Sequence, residues 1–152
     1  MKRHAYTRSV LLLAGALLLG GCAAVNDATM RALATSAPAL AVIGERVLSG
    51  EVLLYTDRSG KLQLRSEGEP ALSCMGALRY TATSSGTVNL SCSDGRQAQL
   101  PFNALGETSG YSGTVSGPIS FTYGLAPEPA RAWLTAPPGK RLVVSGDALR
   151  LE

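Results

Sequence analysis

From Glu51 to Leu151 the apolar residues recur at every second position in short blocks, and nearly every block ends in glycine, serine, aspartate or proline. Alternation of this kind gives each pleated strand one apolar and one polar face. Such strands reach a stable fold by stacking or by closing on themselves, so the pattern narrows the architecture before any single residue is considered.

Glu51–Thr56 and Lys61–Arg65 read as a hairpin around Asp57-Arg58-Ser59-Gly60, with Leu53 and Tyr55 expected opposite Leu64 and Leu62. After Glu67-Gly68-Glu69-Pro70, one face carries Leu72, Cys74, Gly76, Leu78 and Tyr80, and the next block aligns Val88, Leu90 and Cys92. Ser93-Asp94-Gly95 is a turn signal. Beyond it Ala98, Leu100 and Phe102 point inward, and Pro101, which cannot donate to a ladder, is expected outward on an edge or at a bulge. Residues 105–118 are rich in glycine and read as a loop or as bulged strands against which other backbone passes. Ile119, Phe121 and Tyr123 then alternate with Ser120 and Thr122 as a half-buried strand.

One short helix is expected near residues 127–135. Pro127 suits a first helical position, Glu128 suits the positive end of the dipole, and Ala130, Trp133 and Leu134 share a face until Pro137-Pro138-Gly139. A closing hairpin places Leu142, Val144, Leu149 and Leu151 toward the core. The expected fold is all-β, a small antiparallel barrel or sandwich of about seven to nine strands with that one helix.

The amino-terminal region follows another rule. Lys2, Arg3 and Arg8 precede an apolar run from Val10 to Leu19, the layout of a secretory signal peptide and too short to cross a bilayer as a helix. At Leu19-Gly20-Gly21-Cys22 the sequence resembles the lipobox of bacterial lipoproteins. The resemblance implies cleavage before Cys22 and acylation of that cysteine by diacylglycerol and a further chain such as palmitate, an attachment that several acyl chains make effectively permanent. Ala23 and Ala24 stand where an aspartate often signals inner-membrane retention in such proteins, so the implied destination is the outer membrane, on its periplasmic face. The expected organisation is a signal peptide over 1–21, an acylated amino terminus and flexible tether over 22–44, and a single β domain over 45–152.

Processing also alters the charge. The chain carries 14 basic and 11 acidic residues, and the three cations lost with the signal peptide account for the whole formal charge of +3. The mature chain is neutral and its arginines are dispersed, which argues against nucleic acid as a partner. Its one histidine, His4, leaves with the signal peptide, which removes imidazole bases and the usual zinc ligand sets, so neither metal nor cofactor is expected. With Cys22 acylated, Cys74 and Cys92 are left to pair in an oxidising periplasm. A two-residue turn would set Cys92 near Leu78, so the pairing calls for a strand bent at Gly76 or a bridge between two packed sheets.

No catalytic constellation stands out. A serine nucleophile would need Lys61 or Lys140 as base, and both read as solvated. A carboxylate pair is the other hydrolytic option, but Asp57, Asp94 and Asp147 sit in turns, where their side chains bond local backbone. Ser109-Gly110-Tyr111 is the candidate binding segment, and it resembles the serine-glycine-tyrosine loop of membrane-bound lysozyme inhibitors with altered spacing. The expectation is a noncatalytic envelope accessory, held by its lipid and engaging an envelope protein, with an inhibitor-like role through Tyr111 as the alternative.

Overall fold

The computed structural model describes residue 29 and residues 32–112 and 119–152. It divides the chain into two units, Met1–Ala34 and Thr35–Glu152, and the second holds the fold described below. Ten strands are described: β1 (Thr35–Ile43), β2 (Arg46–Leu54), β3 (Ser59–Ser66), β4 (Ser73–Tyr80), β5 (Ser85–Cys92), β6 (Gln97–Ala104), β7 (Gly110–Ser112), β8 (Ile119–Tyr123), β9 (Leu142–Ser145) and β10 (Ala148–Leu151). The first eight close into an antiparallel barrel in sequence order, and β1 pairs with β8 from Ala39 opposite Tyr123 to Ile43 opposite Ile119. Closure settles the fold as a barrel. A five-residue helix, α1 (Pro127–Arg131), separates the barrel from the β9–β10 hairpin.

Strand β1 corrects the expected tether, because residues 35–43 belong to the barrel wall. Its inward positions Ala37, Ala39 and Ala41 are small where the neighbouring β8 supplies rings, with Ala39 beside Tyr123 and Ala41 beside Phe121. Small and large residues alternate around the interior in this way so that the barrel fills without voids. The rings form one cluster: Tyr80 meets Phe102 edge-on at 4.9 Å, Phe102 meets Tyr123 at 6.0 Å, and Phe121 stacks on Tyr123 at 5.7 Å. The Tyr80 and Tyr123 hydroxyls share a hydrogen bond of 2.7 Å. Burial, and then that bond, push the ionisation of Tyr123 far above the ordinary tyrosine range.

The β2–β3 hairpin forms three residues out of the expected register, with Leu53 opposite Lys61 in place of Leu64. Val52 lies opposite Leu62 and Gly50 opposite Leu64, so Val52 and Leu54 face the core in place of Leu53 and Tyr55. The turn explains the slip. The Tyr55 N–H donates to the Ser59 carbonyl, and Arg58 takes a left-handed φ of 64°, which makes a three-residue loop ending in a left-handed position. A shift by an odd number of residues inverts the buried face. Arg58 is held there by donating to the Ala82 and Thr83 carbonyls and by lying 5.1 Å over the Tyr80 ring.

The cysteine pair forms without a bent strand or a second sheet. Cys74 and Cys92 are direct neighbours across the β4–β5 ladder, joined by a disulfide with α carbons 4.0 Å apart. The hairpin turns through Thr81–Ser84, longer than a two-residue turn, and this brings the register onto the cysteines. Beside the bridge the Ser93 N–H donates to the Ser73 carbonyl, which leaves the cysteines as the closer, non-hydrogen-bonded pair. Replacing both cysteines by alanine is expected to lower stability by about 3 kcal/mol, read as a lower urea midpoint with a slope that stays the same or steepens as the unlinked chain expands.

Leu142, Val144, Leu149 and Leu151 were expected to complete the main core, but the carboxy-terminal elements stay outside the barrel interior. They build a second core outside it: Leu40 and Val42 on the outer face of β1 pack with Ala130, Leu134, Leu142 and Leu149. The same cover explains why Ser120 and Thr122 are buried, so β8 is enclosed on both faces where a half-buried strand was expected. The Thr135 N–H donates to the Ser120 hydroxyl at 2.9 Å, which ties the segment after α1 to β8. The helix ends at Arg131, short of residue 135, and Trp133 lies outside it.

Candidate functional site

Cys22 lies outside the described residues. Of the other expected site residues, Cys74 and Cys92 are bonded together, and Ser109, Gly110 and Tyr111 stand at the entry to β7. The Ser109 carbonyl accepts from the Leu105 and Gly106 N–H groups and so closes the β6–β7 turn. Gly110 is buried, and a β carbon there would come within 2.6 Å of both the Asn103 carbonyl and the Tyr123 ring. Glycine is what lets that ring pass. Tyr111 points outward and stacks on Trp133, with ring centroids 4.1 Å apart and planes at 26°.

Several polar groups capable of acid–base chemistry are engaged locally. Asp57 accepts from the Ser59 N–H and hydroxyl, and those bonds lower its pKa. Asp94 accepts from Arg96, which holds its carboxyl below the usual range. Glu128 pairs with Arg131 and Glu152 with Arg141. The buried serine hydroxyls serve main chain: Ser66 accepts from the Leu72 N–H, and Ser112 donates to the Pro101 carbonyl. That second bond also places Pro101. In a strand the N–H and C=O of one residue point the same way, so the donor Pro101 lacks falls on the β7 side and the β5–β6 ladder is spared. Among the described residues no three of histidine, cysteine, aspartate and glutamate lie close enough together to hold a metal ion.

Two surface depressions lie among the described residues. One, of about 480 Å³, lies where β1 and β2 meet the β9–β10 hairpin, with Leu40, Val47 and Leu149 between the charged Glu45, Glu67 and Arg150. The second, of about 440 Å³, lies on β5 and β6 and is lined by Asn89, Leu90, Ser91, Gln97, Ala98 and Gln99. The register continues it toward the aromatic pair: Asn89 is opposite Gln99, Ser85 opposite Asn103, and Asn103 opposite Tyr111. The outward residues of β5 and β6 are Ser85, Thr87, Asn89, Ser91, Gln97, Gln99, Pro101 and Asn103, none of them charged. Charge returns on the neighbouring β4 with Arg79, opposite Thr87, and one strand further on β3 with Lys61 and Arg65.

Sequence reasoning singled out Tyr111 and passed over this carboxamide face. The signal was present in the polar halves of the alternating strands, which hold amides where a solvated face ordinarily mixes in lysine and glutamate. Compared with protein-family models, curated proteins and solved structures, the chain matches none.

Proposed function

We propose that this chain is a lipid-anchored protein of the bacterial outer membrane, facing the periplasm, that works by contact with another envelope component and not by catalysis. The observation that carries the reading is the Cys74–Cys92 bridge. It consumes both cysteines of the barrel and leaves Cys22, at the end of Leu19-Gly20-Gly21, as the remaining one. A bridge of this kind belongs to an oxidising compartment, where a signal peptide would deliver the chain. The local engagement of Asp57, Asp94 and the buried serines supports contact over chemistry.

Metabolic labelling with an alkyne palmitate in a bacterial host is expected to mark the protein and to place it in the membrane fraction. Cys22→Ala is expected to abolish the label and leave an uncleaved precursor. An unlabelled wild-type chain, or full-length precursor in the cytosol, overturns the reading.

A further inference from the structure

The outer face of β5, β6 and β7 has a chemistry that specifies its occupant. Its outward positions carry four carboxamides, Asn89, Gln97, Gln99 and Asn103, three of them in exposed rows of the β5–β6 ladder and the fourth beside Tyr111. Each carboxamide offers one carbonyl acceptor and two N–H donors. A secondary amide in a ligand can therefore be met reciprocally, its N–H donating to the side-chain carbonyl and its oxygen accepting from the side-chain NH2. Pro101 lies between Gln99 and Asn103 on the same face and adds apolar surface. At the β7 end, Trp133 stacks on Tyr111 and remains 39% exposed. Aromatic faces of this kind take up the C–H faces of ring-shaped ligands, with the indole N–H as a polar handle.

Charge decides the class of ligand. A phosphorylated or acidic partner would be met by lysine or arginine. Here the eight outward residues of β5 and β6 are neutral throughout. A neutral face loses no paired ions on binding and complements an uncharged ligand dense in donors and acceptors. The strip is also elongated: from Gln97 to Asn103 along β6 is roughly 20 Å at the rise of an extended strand, so it fits a chain of several units better than one small molecule.

We propose that this strip binds an uncharged glycan bearing acetamido groups, with Asn89, Gln97, Gln99 and Asn103 reading the acetamido and hydroxyl groups and the Tyr111–Trp133 pair supporting a sugar ring. The assignment deepens the envelope-contact reading and rests on it for the setting in which such a glycan is met.

Trp133 is the single tryptophan of the chain, so its emission reports on the site directly. The full-length protein, purified in a detergent without a sugar headgroup, is titrated with a hexamer of β-1,4-linked N-acetylglucosamine. The expected result is a saturable change in emission, with a Kd that moves less than about twofold when salt is raised tenfold, since no ion pair is screened. Asn89→Ala combined with Gln99→Ala is expected to weaken binding about tenfold or more, the loss of one to two hydrogen bonds. Both side chains are exposed, so folding is retained, and Glu67→Gln in the opposite depression leaves the Kd unchanged. Tyr111→Ala, followed by calorimetry because it changes the surroundings of Trp133, is expected to weaken binding similarly. The matching glucose hexamer, which lacks acetamido groups, is expected to bind at least about tenfold more weakly. No saturable response, equal binding of both hexamers, or a double variant that binds as wild type overturns the proposal. These outcomes are read on purified protein, so they stand apart from the palmitate experiment, whose failure would remove the envelope setting and leave the glycan measurement as it is.

Discussion

Gly124→Ala is expected to destabilise the barrel by about 3–5 kcal/mol, as the sum of a left-handed backbone penalty and a steric clash. Gly124 follows β8 with a φ of 67°, and its N–H donates to the Pro38 carbonyl at 2.7 Å, so it fixes the chain at the β1–β8 join. An added β carbon would run into the Thr108 carbonyl oxygen and sit 2.8 Å from the Ser109 α carbon. Both are backbone atoms, and no rotamer change moves them aside. Gly146 supplies the control, because it has a φ of 62° and nothing within 4 Å of the added atom. Gly146→Ala should therefore show the conformational cost alone, about 1–2 kcal/mol. Thermal melts followed by circular dichroism should separate the two, with a fall of roughly 15 °C for Gly124→Ala and about a third of that for Gly146→Ala. Equal shifts would show that the β6–β7 turn yields to the added methyl group.

Val42→Asp is expected to release the β9–β10 hairpin while the barrel stays closed. Val42 is 2% exposed and lies in the outer core with Leu40, Leu142 and Leu149. A carboxylate there has no partner, and keeping it covered would cost about 3–5 kcal/mol. A two-stranded hairpin has little stability of its own and cannot meet that cost. The barrel interior shares none of those side chains, being built on Ala37, Ala39, Ala41, Ile43 and the ring cluster. Limited trypsin digestion is the measurement: the variant should be cut early after Lys140 or Arg141 and leave a resistant fragment that retains the β spectrum. Loss of that spectrum together with the cleavage would show that the two cores form a single cooperative unit.

The outward and inward faces of β4, β5 and β6 were legible because each has an apolar interior and a watered exterior, which is the condition under which alternation shows. An antiparallel barrel or sandwich followed from that, whereas the cysteine pairing came from setting Cys22 aside for acylation, and its register was hidden by the length of the β4–β5 turn. β1 lacks the condition. Its inward residues are alanines that make room for Phe121 and Tyr123, and its outward Leu40 and Val42 are covered by a hairpin about a hundred residues later in the chain. Both faces are apolar, so no period of two appears, and an alanine-rich strand reads as a tether. The β2–β3 register was illegible for a local reason: Leu53 and Tyr55 alternate as well as Val52 and Leu54 do, and the choice is made by Arg58 entering a left-handed conformation that its sequence does not announce. At the candidate site, Tyr111 was visible as an aromatic among glycines. Its stacking partner Trp133 was assigned to the buried face of a helix that ends before reaching it.

The seam between β1 and β8 sets an order of events. The strand made first, at Thr35–Ile43, finds its second neighbour only when residues 119–123 exist. A chain that emerges from its amino end must hold an incomplete sheet with two bare rims until nearly the whole domain is available, and rims of that kind recruit other chains. Ring closure across so long a separation is intrinsically slow, so the hazardous interval for this polypeptide opens when β1 is made and ends when β8 joins the circle.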